Sequence, residues 1–206
     1  MSKQKVGFTS LKGYLPEGSF DAVFDYVTTY KVQLTITRMR KTVLGDYRHS
    51  TAQKGHRISV NGNLNKFSFL ITLLHELAHL LTYEKYKNTV APHGLEWKGM
   101  FGNVLSEFVA LSLFPPPIKA ALQKTIQSPA ASSCADEQLL RVLQQYDENK
   151  AGFVFVESLA EGDVFELPPA RYFKKGGKLR KRYKCQEVAT GKWYLFNGLY
   201  EVAIKN

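Results

Sequence analysis

The sequence contains little cysteine and no long uncharged apolar run. Its two cysteines, Cys134 and Cys185, are far apart and outside any Cys-x-x-Cys pair, which excludes a disulfide framework and a four-cysteine zinc ribbon. No stretch reaches the roughly 18 apolar residues that a membrane-spanning helix needs, and the first residues lack the apolar run of a signal peptide. These features predict a cytoplasmic protein without a membrane partner.

Acidic residues are outnumbered by basic ones. The 206 residues include 28 Lys and Arg against 18 Asp and Glu, which gives a formal net charge of +10. Basic side chains release condensed counterions when they approach a phosphate backbone, so this excess favours a polyanionic partner, with nucleic acid as the leading candidate. The hydrophobic fraction of 44% is sufficient for a packed core in one or two domains.

Residues 1–114 have the pattern of an α+β domain. Apolar residues recur at helical spacing in three segments, and β-formers alternate with polar residues in two. The longest helical segment is apolar on nearly every face, which is typical of a helix buried inside a domain. Asn63 and Asn65 are its candidate caps. The predicted helices cover 20–30, 66–86 and 97–108, and the predicted strands cover 32–37 and 57–61.

The composition changes after residue 114. Three consecutive prolines at 115–117 cannot continue a helix, and small residues follow, so we place a linker at 115–135 that contains one short helix. Residues 136–206 then begin with a helix and continue as four or five short β-like segments separated by glycine-containing turns. They predict a small, basic, β-rich module with a barrel-like or curled sheet.

The segment His75-Glu76-Leu77-Ala78-His79 carries the clearest chemical signal. Residues four apart lie on the same face of a helix, so both imidazoles point toward one position, with the Glu76 carboxylate beside them. Burying these three side chains in an apolar helix requires compensation, which a divalent cation provides. We therefore predict one Zn²⁺ bound by His75 and His79, with Glu76 as the general base.

A catalytic zinc ion takes a third protein ligand and leaves its fourth position to water. His93 lies in a Pro-Gly loop just before the predicted helix 97–108, which makes it the favoured third ligand. Glu96 and Glu107 are the alternatives, because some peptidases use a glutamate in this role. His49 and His56 fall in the loop between the two predicted strands, where solvent exposure is expected.

The segment HELAH, followed after thirteen residues by HGLEW, resembles the SprT-like family of zinc metallopeptidases over about residues 15–112. The resemblance implies a zincin-like domain in which His75, His79 and His93 bind zinc, Glu76 is the general base and Trp97 packs behind the third ligand. It also extends to Spartan, the eukaryotic branch of the family, which cuts proteins crosslinked to DNA. Bacterial members often end in a cysteine-rich zinc ribbon, which this chain cannot form.

A basic stretch at 171–184 holds eight positive charges and no acidic residue. Aromatic residues are interleaved with the charges, and this combination is typical of surfaces that hold single-stranded nucleic acid without sequence preference. The predicted nucleic-acid contacts are Lys174, Lys175, Lys178, Arg180, Lys181, Arg182, Lys184 and Tyr183.

Together these features predict a zinc-dependent metallopeptidase that acts on proteins and is associated with DNA. Two alternatives stay open at this level. One is a nucleic-acid-binding or regulatory protein whose zinc site is structural or inactive, which an intact Glu76 disfavours. The other is a zinc hydrolase of a non-peptide substrate, since the metal chemistry alone does not select an amide.

Overall fold

A computed structural model describes residues 8–40, 43–127, 136–147 and 152–204. The chain divides into two compact units, Met1–Asp147 and Glu148–Asn206. The described part is mixed α+β and contains two sheets. In it, no helix combines the length and the apolar character needed to cross a bilayer.

Within the residues described, the first unit contains six α-helices, a 3-10 helix at Lys12–Tyr14 and a three-stranded sheet. Helix α2 is amphipathic and buries Val23 and Val27. Helices α3 and α4 pack against each other and supply much of the core of the unit. In chain order the elements are α1 (Phe8–Leu11), α2 (Phe20–Thr29), β1 (Gln33–Thr37), β2 (Gly45–Arg48), β3 (Arg57–Asn61), α3 (Lys66–Tyr86), α4 (Leu95–Ala110), α5 (Pro116–Gln127) and α6 (Glu137–Gln144).

The first sheet has the strand order β1-β3-β2, with β1 parallel and β2 antiparallel to the central β3. Alternation divides its residues between two faces. Ile58 and Val60 of β3 are buried in the core under the sheet, whereas Arg57 and Ser59 lie on the opposite face. Strand β2 is the edge strand that lies against α3, and it was not among the strands predicted from the sequence.

Helix α3 is buried on most of its circumference, as its apolar sequence predicts. Its residues from Phe69 to Ala78 are all less than a tenth exposed, and the core continues to Leu80. The helix begins at an Asn65 cap, whose side-chain oxygen accepts a hydrogen bond from the Ser68 backbone N–H at 2.9 Å. Capping of this kind satisfies one of the free N–H groups at a helix start.

The first unit extends further along the chain than the apolar pattern indicates. The sequence places a linker at 115–135 and assigns residues from 136 onward to the second module, whereas the structure divides the chain after Asp147. The reason is packing, because Ile118 and Leu122 of α5 and Leu139 and Leu143 of α6 are buried in the same core as α3 and α4. Residues 128–135 lie outside the described part.

The second unit is a six-stranded antiparallel sheet with the order β4-β9-β5-β6-β7-β8. Its small core is built around Val156, Phe165, Phe173, Cys185 and Val202. The pairings found among the described residues do not join β4 to β8, so they show a sheet without the predicted barrel closure. The strands are β4 (Phe153–Phe155), β5 (Val164–Leu167), β6 (Arg171–Leu179), β7 (Arg182–Glu187), β8 (Trp193–Asn197) and β9 (Glu201–Ile204).

The Asn65 side chain joins the start of α3 to the end of α6. Besides capping α3, its amide donates to the Leu143 carbonyl at 3.0 Å and to the Asp147 carboxylate at 2.6 Å. We expect Asn65→Ala to lower the free energy of unfolding by about 1–3 kcal/mol, because a cap and two further hydrogen bonds are lost. Urea denaturation measures this change.

The neighbouring Asn63 provides a matched control for this prediction. Asn63 was the other candidate cap, but its side chain is exposed, and the structure places the cap at Asn65. Asn63→Ala is therefore expected to change the unfolding free energy by less than about 0.5 kcal/mol. Equal losses in the two variants would contradict the capping assignment.

Candidate metal centre

Two histidines of α3 project from one face of the helix, as their spacing of four residues requires. The Nε2 atoms of His75 and His79 are 3.2 Å apart. His75 is 9% exposed and Glu76 is 6% exposed, while His79 is half-buried. The backbone of a rigid, buried helix thus fixes two imidazoles and a carboxyl group at the edge of the core.

The third histidine comes from the loop that precedes α4. His93 adopts a left-handed backbone conformation with φ of 59°, which turns the chain just before α4 starts after Gly94. Its Nε2 lies 2.9 Å from that of His79 and 3.2 Å from that of His75. The three ring nitrogens therefore form a nearly equilateral triangle.

The geometry of this triangle fits a tetrahedrally coordinated metal. Nitrogens that bind zinc at about 2.0–2.1 Å in tetrahedral geometry lie roughly 3.3 Å apart, close to the distances between these three. His75, His79 and His93 form the cluster of metal-ligand type found among the described residues. Three histidines leave one position of a tetrahedral ion open, as in catalytic zinc sites.

The electrostatic environment keeps the histidines neutral, which is the form that binds a metal. Burial, followed by repulsion from His79 and His93, lowers the pKa of His75 to about 3. Burial and repulsion from His93 lower the pKa of His79 to about 4. Burial also lowers the pKa of His93. Fewer protons therefore compete with a cation for these nitrogens at neutral pH.

Aromatic side chains of α4 pack around the histidines and restrict their orientation. The Trp97 ring centroid lies 4.7 Å from that of His75 and 4.6 Å from that of His93, and Phe101 contacts His75 edge-on at 5.4 Å. Trp97 is fully buried. It occupies the position that the sequence resemblance assigns to the aromatic residue after the third ligand.

The two glutamates considered as alternative ligands lie elsewhere. The Glu107 carboxylate accepts a hydrogen bond from the Tyr26 hydroxyl at 2.6 Å. A Glu96 carboxylate oxygen lies 3.2 Å from the position that a Cβ atom on Gly94 would take. Neither belongs to the ligand cluster found in the described part of the chain. The geometry therefore favours His93.

Glu76 lies beside the histidine cluster and under the edge strand β2. A Cβ atom placed on Gly45 would lie 2.5 Å from the Glu76 Oε1, so only glycine leaves room for this carboxyl group. Burial, and then the nearby Asp46, raise the pKa of Glu76 to about 8, although Arg40 and a hydrogen bond from the Tyr47 backbone act in the opposite direction. A carboxyl group with this pKa is suited to exchanging protons near neutral pH.

Comparison with known proteins identifies the segment that carries this centre. The sequence model of the SprT-like family matches residues 18–116, which include all three histidines, Glu76 and the first sheet. Residues 18–116 are a SprT-like segment. Members of this family are generally metallopeptidase-like and metal-dependent. No curated protein and no solved structure matches the chain.

One part of this site was not predicted from the sequence, namely Tyr47 and the buried His56 next to it. The expectation that His56 is solvent-exposed is wrong, since it is 8% exposed. The Tyr47 hydroxyl lies 2.9 Å from His56 Nδ1, and His56 Nε2 lies 3.3 Å from the Glu84 carboxylate. The Tyr47 ring is parallel to that of His79. With His79 and Trp97, Tyr47 lines a cleft of about 310 Å³.

The predicted nucleic-acid contacts lie in the second unit and occupy different environments. Lys175 is 6% exposed, and its ammonium donates to the backbone carbonyls of Glu157 and Leu159, so it is an interior residue. Tyr183 is half-buried and packs against the core. The remaining predicted residues are exposed: Lys174, Lys178, Arg180, Lys181, Arg182 and Lys184.

The raised pKa of Glu76 predicts a specific pH dependence of stability for the metal-free protein. Between the ordinary value of 4.5 and about 8, the folded protein binds this proton more tightly than the unfolded chain does. The associated stability is complete below pH 4.5 and lost as the pH rises through 8. Relative to Glu76→Gln, the wild-type unfolding free energy should fall by roughly 2–4 kcal/mol from pH 5 to pH 8.

Denaturant unfolding of both proteins at each pH, in the presence of a chelator, measures this difference. Saturating zinc should remove the difference, because a nearby cation stabilises the carboxylate. Parallel pH curves for the metal-free wild type and the variant would show that Glu76 titrates normally.

Proposed function

We propose that this protein is a zinc-dependent metallopeptidase that hydrolyses peptide bonds of proteins associated with DNA. The observation that carries the proposal is the triangle of His75, His79 and His93 nitrogens with the buried Glu76 beside it and a cleft next to it. The SprT-like family match supports the peptidase class. The DNA association is supported by the basic second unit and by the resemblance to the Spartan branch.

Each residue of the centre has a distinct role in this reaction. A zinc ion held by the three imidazoles would supply Lewis acidity that favours attack by water on a peptide carbonyl. Glu76 accepts the proton from the attacking water and delivers it to the leaving amine, since one carboxyl group can do both when its pKa is near neutral. Tyr47 forms a wall against which a substrate segment packs, and the buried Trp97 holds the histidine rings from behind.

The Glu76→Gln substitution tests this assignment most directly. It should leave about one equivalent of zinc bound, because the ligands are unchanged, and should lower proteolysis of an unfolded protein substrate by about 10²–10⁴-fold, because the proton acceptor is lost. Elemental analysis and a fluorogenic protein assay, with and without single-stranded DNA, measure the two effects.

Glu96→Gln is the matched control, since it makes the same chemical change beside the cleft but outside the cluster. It should retain both zinc and activity. Wild-type protein that bound less than about a tenth of an equivalent of zinc, or a Glu76→Gln variant with full activity, would overturn the peptidase proposal. Activity on esters without activity on peptides would favour a non-peptide hydrolase.

For DNA association we propose the outward face of β6, β7 and β8 in the second unit. Register places Lys174, Gln186 and Trp193 in one cross-strand row and Lys184 beside Leu195 in the next. Trp193 is 55% exposed, and the Lys184 ammonium lies 5.0 Å from its ring centroid. Exposed aromatic rings among cations can stack bases while the cations contact phosphates. The buried Lys175 is omitted from this surface.

Binding of single-stranded DNA should weaken steeply with salt and should quench the fluorescence of Trp193. The chain has one other tryptophan, the fully buried Trp97, so quenching on binding reports on Trp193. Replacing both Arg182 and Lys184 by Gln should reduce the slope of log affinity against log salt by about 1–2. Fluorescence titration measures both quantities.

Phe153→Ala serves as a control, because Phe153 is a comparably exposed aromatic residue on the far edge strand β4. It should bind as the wild type does, whereas Trp193→Ala should bind at least several-fold more weakly. A salt-independent affinity would remove nucleic acid from the proposed function.

A further inference from the structure

The outer face of the first sheet carries an unusual concentration of arginine. Arg48 of β2 lies directly opposite Arg57 of β3 in the antiparallel pair. The Asp46 carboxylate pairs with Arg48 at 2.9 Å, and Arg40 reaches the same face from the segment after β1. Three guanidinium groups and one carboxylate thus lie together on this face.

This arrangement of charges destabilises the protein when no ligand is bound. Like charges directly opposite each other on adjacent strands destabilise a sheet. The Arg57 Nε is also shielded from solvent and has no hydrogen-bond partner among the residues described. An unpaired, buried guanidinium N–H is costly, because it has lost its hydrogen bond to water. Both features would be relieved by an anion that accepts hydrogen bonds from Arg57.

The surroundings of Arg57 have the shape and the polar groups that such an anion needs. The arginines and Asp46 line a cavity of about 280 Å³ together with hydroxyl groups of β1 and β3, including Thr35 and Ser59. Thr35 and Ser59 are paired in the parallel register of these strands. Arginine forks and hydroxyl donors are the groups that proteins use to hold tetrahedral oxyanions.

Arg40 provides a fixed positive charge at this cavity. Its guanidinium donates to the Asn61 side chain at 2.8 Å and to the Ser59 hydroxyl at 3.0 Å, and it also reaches the Leu44 and Ser59 carbonyls. These contacts hold the group rigid on the sheet. Arg40 thus contributes charge and position, while Arg57 and the exposed part of Arg48 remain as hydrogen-bond donors.

We propose that this face of the first sheet binds a phosphate group, with Arg57 and Arg48 as the main ligands and Thr35 as a supporting hydroxyl donor. A phosphate has several acceptor oxygens in tetrahedral directions, so it can bond to donors from two strands at once, and its charge compensates the opposed arginines. The site lies on the face of the sheet opposite the Glu76 carboxyl group and includes none of the histidines, so the proposal does not rest on the proposed peptidase activity.

Thermal unfolding of the full-length, zinc-loaded protein with inorganic phosphate tests the proposal. Phosphate at about ten times its Kd should raise the Tm of the wild type by about 3–5 °C relative to sodium chloride of equal ionic strength. Arg57→Gln should abolish this shift and should weaken phosphate binding at least about tenfold by calorimetry. Arg38→Gln, which removes an exposed arginine outside the cavity, should retain the full shift.

Two further measurements separate a ligand site from a structural role and identify the source of the phosphate. In phosphate-free buffer, Arg57→Gln should unfold at or above the wild-type Tm, because the like-charge pair is removed. A short oligothymidine shows whether the phosphate belongs to nucleic acid when it is tested in a Trp193→Ala, Arg182→Gln, Lys184→Gln background, which removes the contacts proposed for the second unit. If it does, adding Arg57→Gln weakens oligothymidine binding as much as it weakens the binding of inorganic phosphate. An oligothymidine affinity that does not change indicates free phosphate or a phosphomonoester.

The proposal fails if phosphate gives no more stabilisation than chloride, or if Arg57→Gln shows the same phosphate shift as the wild type. It also fails if Arg57→Gln lowers the Tm strongly in phosphate-free buffer, since Arg57 would then hold the fold together. Phosphate binding at the metal cannot imitate the expected result, because Arg57→Gln leaves all three histidines in place.

Discussion

The burial of two imidazoles and a carboxyl group in the middle of an apolar helix is the constraint on which the first unit depends. Helix α3 cannot turn its polar residues to solvent, because its apolar residues are needed in the core on almost every side. The surrounding elements therefore have to accommodate these polar groups. The loop at His93 brings a third imidazole to within 2.9 Å, and the aromatic residues of α4 pack against the rings. The glycine of β2 leaves room for the carboxyl group, which accepts a hydrogen bond from the Tyr47 backbone.

The parts of this site that follow from one helix could be predicted from the sequence. The spacing of His75 and His79 determines their common face, because helix geometry is nearly invariant. The contribution of Tyr47 and His56 could not be predicted in this way. Strand β2 has four residues, which are too few for a recognisable alternation, and its contact with α3 depends on its register with β3. A histidine in a polar loop gives no sign that Tyr47 and Glu84 enclose it.

In the second unit, too, the sequence predicts only part of what the structure shows. The run of basic residues at 171–184 indicates the charge of a region, but the side on which each residue lies depends on the strand register. Ordinary alternation places Lys174 on the surface and Lys175 in the interior, and an irregularity between Lys175 and Lys178 then shifts the register so that Lys178 pairs with Tyr183. Leu195 is apolar but 49% exposed, and Trp193 lies on the same outward face. Composition predicted a basic surface, whereas the register decides which aromatic residue belongs to it.

The alternation of strand β2 also gives the sheet two separate chemical faces. Gly45 faces inward against the Glu76 carboxyl group, while Asp46 and Arg48 belong to the outward face with Arg57. Only the backbone of β2 separates the two faces, so charged side chains on the outer face still act on the Glu76 carboxyl group. Asp46 raises and Arg40 lowers the pKa of Glu76 for this reason. The field at the general base therefore depends on side chains that never enter the cleft, and the charge balance of the outer face is part of the environment in which Glu76 exchanges its proton.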